Sequence, residues 1–176
     1  CRLLDLRQPI ANALANLGML AAHRSAFPTA RTYTEESLQI NRTLGNRQAQ
    51  RQNLNNLGLI RKELGDIDDA FALFEECLVL DREDGNRSGI AGTLNNLALL
   101  AEDRGDLDAA RTLLEESLEI HRELGPRAAE ASNLAGLGGV ALRRGELAKA
   151  RPLYEESLAI RREVGDLWGT ALSLLG

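Results

Sequence analysis

The sequence of 176 residues predicts an all-α fold built from repeated helix hairpins. Landmark residues return every forty positions, and within each unit the apolar residues step by three and four, with no β alternation. Glu35-Glu36-Ser37 recurs as Glu75-Glu76-Cys77, Glu115-Glu116-Ser117 and Glu155-Glu156-Ser157. Gly45, Gly85, Gly125 and Gly165 keep the same step, as do Leu14, Leu54, Leu94, Leu134 and Leu174, and Leu17, Leu57, Leu97 and Leu137. No insertion interrupts the series, so each period is one duplicated supersecondary unit.

The second unit shows the elements in order. Leu54, Leu57, Ile60 and Leu64 form the apolar face of a first helix. Gly65-Asp66 breaks it: the glycine closes a tight turn, and Asp66 is placed to accept from the first free amides of the next helix. Asp69 adds negative charge where the helix dipole favours it. The second helix runs to about Asp84, with Ile67, Ala70, Phe74, Cys77, Leu78 and either Val79 or Leu80 facing inward, and Gly85-Asn86 ends it. Gly105-Asp106 and Gly145-Glu146 repeat the break; the first unit has Ser25-Ala26 there, with Pro28 at the helix start. Gly18, Gly58, Ala98 and Gly138 on the first helices, and Ala30, Ala70, Ala110 and Ala150 on the second, mark close approach within each hairpin. A helical glycine costs roughly 1 kcal/mol against alanine, so its recurrence wants a packing reason. Seven or eight substantial helices are expected, antiparallel because their connections are short.

The whole sequence reads as one array. Residues 1–10 look like the tail of a preceding repeat, 11–50, 51–90, 91–130 and 131–170 are full repeats, and 171–176 begin another. Neither end has a polar cap. Leu3, Leu4, Leu172, Leu174 and Leu175 would leave apolar faces open, which suggests a segment of a longer array or a homo-oligomer joined through its repeat ends.

Composition and motifs narrow the function classes. Acidic residues outnumber basic ones by 26 to 21, for a formal net charge of -5, which argues against direct nucleic-acid binding by this segment. No apolar run is long enough for a spanning helix, and Cys1-Arg2-Leu3-Leu4-Asp5-Leu6-Arg7 does not resemble a secretion signal, so no membrane partner and a cytoplasmic location are expected. His23, His121, Cys1 and Cys77 lack ligand spacing, so no metal or other cofactor is expected. Gly136-Leu137-Gly138-Gly139 has neither the strand nor the lysine of a phosphate loop. The paired glutamates point in diverging directions on a helix, which suits ion pairing better than acid–base catalysis. Cys77 reads as an inert core residue, and Arg42, Arg82, Arg122 and Arg162 read as structural charges at second-helix ends. The sequence therefore predicts no enzyme.

The spaced residues Leu54, Leu57-Gly58, Ala70, Phe74 and Cys77 resemble the tetratricopeptide repeat. The third unit matches through Leu94, Leu97-Ala98, Ala110, Leu114 and Ser117, the fourth through Leu134, Leu137-Gly138, Ala150, Tyr154 and Ser157, and the first through Leu14, Leu17-Gly18, Ala30, Thr34 and Ser37. The four arginines stand where the family usually has proline, and the family's unit of about 34 residues is lengthened to 40. This longer form is similar to kinesin light chain-type arrays and to the repeat regions of bacterial regulators. The resemblance implies a right-handed superhelical solenoid. It also implies a scaffold that binds a peptide or partner domain in a concave groove, as the sensor or adaptor region of a larger bacterial protein. The alternatives are a self-associating structural module and the regulatory arm of an ATPase-coupled transcription regulator.

The resemblance further places one side of each first helix on that groove. Asn16, Asn56 and Asn96 are equivalent there, with Asn55 and Asn95 beside two of them. An amide donates and accepts together, which suits a peptide backbone, but it also suits a ladder between neighbouring helices. The candidate peptide-binding residues are Asn16, Asn55, Asn56, Leu59, Lys62, Asn95, Asn96, Leu99 and Arg143. Asn12, Met19, Gln52, Glu63, Glu102 and Asp103 project to the same side, and Ala135 and Gly136 replace the amides in the fourth unit.

Overall fold

The computed structural model describes residues 6–166. Eight helices occupy them: α1 (Arg7–His23), α2 (Phe27–Leu44), α3 (Arg47–Glu63), α4 (Ile67–Glu83), α5 (Arg87–Asp103), α6 (Leu107–Leu124), α7 (Arg127–Arg143) and α8 (Leu147–Glu163). They form four antiparallel hairpins, and the described residues contain no strand. The chain divides into two compact units, Cys1–Gly85 with α1–α4 and Asn86–Gly176 with α5–α8. The apolar end residues Leu3, Leu4, Leu172, Leu174 and Leu175 lie outside the described residues, as do Cys1 and Trp168. Helix α1 begins at Arg7, so residues 7–10 belong to the first hairpin.

The turns follow the sequence with one correction. Gly65 has φ +83°, a left-handed conformation that suits glycine, and Ser25 adopts φ +57° at the equivalent place. Asp106 accepts from the Ala109 amide at 3.0 Å, and Asn46 and Asn86 cap α3 and α5 in the same way. Asp66 does not cap α4. Its carboxylate instead makes a charge-assisted contact with Arg61 at 3.0 Å.

Each hairpin closes on a small residue facing a larger one. A Cβ built on Gly58 would lie 2.6–2.9 Å from ring carbons of Phe74, and one on Gly138 would lie 3.0–3.1 Å from the ring of Tyr154. In the third hairpin Ala98 takes the glycine position and Leu114 the ring position. In the first hairpin Gly18 faces Thr34 and the Ala30 carbonyl, with the Thr34 hydroxyl 2.5 Å from where a Cβ would stand. Behind these contacts, Leu54 and Leu57 pack with Leu38 and Cys77, with Leu80 against them, while Val79 faces outward. Ile67 is half-buried.

A polar row ties the two helices of each hairpin together. The hydroxyls of Ser37, Ser117 and Ser157 donate to the carbonyls of Ala11, Ala91 and Ala131 at 2.8, 2.9 and 2.7 Å. Cys77 holds the corresponding place, its thiol 3.6 Å from the Arg51 carbonyl. Ion pairs join neighbouring hairpins on the outside. Arg42 grips both carboxylate oxygens of Glu76 at 2.6 and 2.7 Å, and Arg122 reaches Glu156 at 3.0 Å. Glu35 meets Arg61 at 3.0 Å. The glutamate pairs thus serve packing, each exposed bridge contributing about 0.2–1 kcal/mol.

Candidate peptide-binding face

The first helices supply the candidate face, and in the Cys1–Gly85 unit it carries two adjoining cavities between α1 and α3. One, of about 330 Å³, is lined by Asn12, Ala15, Asn16, Met19, Asn41, Ala49, Gln52, Asn53, Asn55 and Asn56. The second, of about 220 Å³, shares Met19 and Asn56 and adds Gly18, Ala22, His23, Phe27, Thr34, Leu59, Ile60 and Glu63. Three of the predicted amides, Asn16, Asn55 and Asn56, therefore converge on one depression, and Leu59 joins Asn56 at the next. Met19 and Leu59 are 53% and 41% exposed, high for large apolar side chains on a half-lined depression. Lys62 is half-buried and lines neither cavity.

Helical geometry explains the convergence. Positions 12, 16 and 19 of α1 and 52, 55, 56 and 59 of α3 recur at steps of three and four, so each set shares one face. Leu54 and Leu57, on the other face, are buried in the hairpin core, while Ile60 is buried at the edge of the second cavity. Beneath the amides lies a second polar layer. Asn41 donates to Asn53 Oδ1 at 3.2 Å, Gln8 donates to Asn41 Oδ1 at 3.2 Å, and Asn46 donates to Gln8 Oε1 at 3.0 Å. Asn41 and Asn53 are almost fully buried, so this network fixes α3 against α1 and α2 from below.

The Asn86–Gly176 unit uses its amides differently. Asn95 Nδ2 donates to Asn133 Oδ1 at 3.1 Å, and Asn133 Nδ2 donates to the Leu114 carbonyl at 3.2 Å. Asn95 thus forms the interhelical ladder, with its own Oδ1 buried and accepting nothing among the described residues. Asn96 is half-buried, and Leu99 is 49% exposed. Arg143 folds onto α5, donating to the Glu102 carbonyl at 3.1 Å and lying 3.4 Å from the Glu102 carboxylate. Glu102, which projects to the same side, is therefore the arginine's own partner. Burial pushes the Tyr154 phenol above its ordinary pKa, and the nearby Glu102 charge adds to this.

A tetratricopeptide repeat model matches residues 9–83 and 89–163. The chain belongs to the tetratricopeptide repeat family. Solved structures similar to this array include BtubC (BKLC) from P. vanneervenii, at 25% identity and a TM-score of 0.81 over 88% of this chain and 64% of that one. Aspartyl phosphate phosphatase F from Bacillus subtilis is similar at 12% identity, with a TM-score of 0.89 over 95% of this chain and 44% of that one. The Rap conjugation gene regulator of plasmid pLS20, solved with the Phr* peptide, is similar at 19% identity, with a TM-score of 0.79 over 94% and 46%. The array thus spans less than two thirds of each of these proteins. A search of curated proteins gave no match.

No helix among the described residues is long and apolar enough to cross a membrane, and no cluster of His, Cys, Asp and Glu among them could hold a metal ion. What sequence reasoning missed is the cavity over Gly18 and Thr34. Its signal was the small residue at position 34, where the other repeats carry Phe74, Leu114 and Tyr154.

Proposed function

We propose that the array is a non-enzymatic, cytoplasmic protein-interaction scaffold that holds an extended peptide along the α1/α3 face. The observation that carries this reading is the pair of adjoining cavities, amide-lined at one end and apolar at the other. Amides can follow a peptide backbone while Met19 and Leu59 receive side chains. The Phr* peptide bound to the Rap regulator shows that a structurally similar protein holds a peptide, which supports the same class of ligand here. The test begins with capture of the partner by the full-length protein. Asn16→Ala combined with Asn56→Ala should then weaken that partner's binding about tenfold or more, since each lost hydrogen bond is worth roughly 1 kcal/mol. Circular dichroism should show unchanged helicity, and Glu75→Ala, on exposed α4, should bind normally. Unchanged affinity in the folded double variant would remove the groove from the reading.

A second reading, self-association, rests on α1. Leu17 and Leu20 are 44% and 49% exposed, although their equivalents Leu57, Ile60, Leu137 and Val140 are buried. Ile10, 49% exposed, extends the same apolar strip by two turns. A second copy covering this strip would make a homo-oligomer. Light scattering across a concentration series should then show mass rising with concentration, and Leu17→Glu with Leu20→Glu should return a monomer. A constant monomer mass for the unaltered chain rejects it.

A further inference from the structure

We infer that the cavity over Gly18 and Thr34 is an anchor pocket for one aromatic side chain of the bound peptide, followed by a basic residue that faces Glu63. The inference rests on the groove reading above and specifies its ligand. Its basis is a comparison of the repeats within this chain. In the second and fourth hairpins a ring lies against the glycine of the first helix, Phe74 on Gly58 and Tyr154 on Gly138. In the third hairpin Leu114 fills the corresponding volume. The first hairpin keeps the glycine, Gly18, and covers it with the smaller Thr34, whose hydroxyl would lie 2.5 Å from a Cβ built there. Thr34 spends its hydroxyl on the Ala30 carbonyl at 2.8 Å, which turns its polar atom into α2. Threonine covers the glycine but fills less space than a ring, and beside it a cavity of about 220 Å³ is walled by Met19, Phe27, Leu59 and Ile60.

The opening explains why this position can receive rather than contain an aromatic group. Gly18 lies at the floor beneath the Thr34 hydroxyl, which covers it as the Phe74 ring covers Gly58 but with a much smaller group. A planar side chain entering from outside would pack beside Thr34, against Met19, Phe27, Leu59 and Ile60. Burying such a side chain is favourable by its apolar area alone, which sets aromatic above small ligands. The rim supplies the charge preference. Glu63 is exposed at the mouth and has no ion-pair partner among the described residues, while His23 is the other titratable group lining the cavity. An uncompensated carboxylate beside an apolar pocket favours a cationic neighbour to the anchor and disfavours an acidic one. The net charge of -5 acts in the same direction on approach.

The probes are the dipeptides acetyl-Phe-Arg-amide, acetyl-Ala-Arg-amide and acetyl-Phe-Glu-amide, added to the isotope-labelled full chain at millimolar concentration and followed by backbone amide NMR. The first should give saturable shifts at Ala22, Leu59 and Ile60. The alanine and glutamate probes should bind about tenfold and several-fold more weakly. Thr34→Phe should place a ring over Gly18 from inside, preserve or raise the melting temperature, and abolish the shifts. If Thr34→Phe fails to fold, Leu59→Gln on the exposed wall should weaken the first probe at least several-fold. Absence of saturable shifts at the three cavity residues overturns the anchor, as does binding that survives Thr34→Phe in a folded protein. Shifts confined to Asn12, Asn16 and Asn55 overturn the anchor while leaving the groove reading standing; loss of partner binding in the Asn16/Asn56 double variant tests that reading separately.

Discussion

Gly58→Ala is expected to lower the stability of the Cys1–Gly85 unit by about 1–2 kcal/mol, and adding Phe74→Leu should recover most of the loss. The added methyl would lie 2.6–2.9 Å from three carbons of the Phe74 ring, too close for either group to stay in place. Phe74 is fully buried, so the ring has no solvent to move into. Overpacking of this kind costs about 1–3 kcal/mol, whereas alanine gains at most roughly 1 kcal/mol in helix propensity. The clash therefore wins. Leucine removes the ring's flat edge, and the third hairpin already uses this combination as Ala98 with Leu114. Phe74→Ala alone should cost more, about 3–5 kcal/mol, because it leaves a cavity that neighbouring helices cannot close. Urea unfolding of the two single variants and the double variant gives the coupling directly. Additive effects of Gly58→Ala and Phe74→Leu would show that the two positions do not sense each other.

That coupling also shows which features of the fold the sequence made legible. The alternation of Gly18, Gly58, Ala98 and Gly138 with larger residues was visible because both partners repeat at forty-residue steps, and local chemistry fixes the helix register between them. Chain periodicity likewise located the first-helix face, so Asn16, Asn55 and Asn56 were recognisable as neighbours around one depression. Position 34 was harder. Thr34 was matched to the family motif, but the open volume it creates depends on what Phe27, Leu59 and Ile60 do not fill. Asn95 was ambiguous for another reason: whether an amide faces a ligand or a neighbouring helix depends on its opposite number. Asn133 is there to accept its hydrogen. Arg143 could be assigned positive charge from sequence, but not the turn of its side chain back onto Glu102. The positions that escaped the repeat comparison altogether are Asn41, Asp81, His121 and Arg161, which are equivalent in register and share no chemistry. Each has a neighbour four residues before it from the serine row, at 3.4 to 3.7 Å. Identity was thus free to change because each repeat supplies its own partner.

Asp81 shows what that freedom costs. Its carboxylate is 2% exposed and lies 3.2 Å from the guanidinium of Arg51, itself 18% exposed and also paired with Asp84. The Cys77 thiol lies 3.7 Å from the other Asp81 oxygen. Removing Asp81 takes away a charge-assisted contact made away from water, worth about 1.5–3 kcal/mol, and leaves Arg51 with Asp84. Asp81→Ala should therefore destabilise the unit by about 1.5–3 kcal/mol, beyond the about 0.2–1 kcal/mol expected for Glu76→Ala at the exposed bridge to Arg42. The two losses should also respond differently to salt. Raising ionic strength screens Arg42 and Glu76, each 42% exposed, but screens the buried pair much less. Arg51→Met combined with Asp81→Leu removes both charges and keeps comparable volume, and it should return stability to within about 1–2 kcal/mol of the unaltered chain. Chemical unfolding at low and high salt for Asp81→Ala, Glu76→Ala and the double variant measures all three effects. An Asp81→Ala loss no larger than that of Glu76→Ala would show that the pair holds little of the junction together. A double variant as unstable as the single one would instead place the loss in the geometry of Asp84 and Cys77, which Arg51 and Asp81 then hold in register.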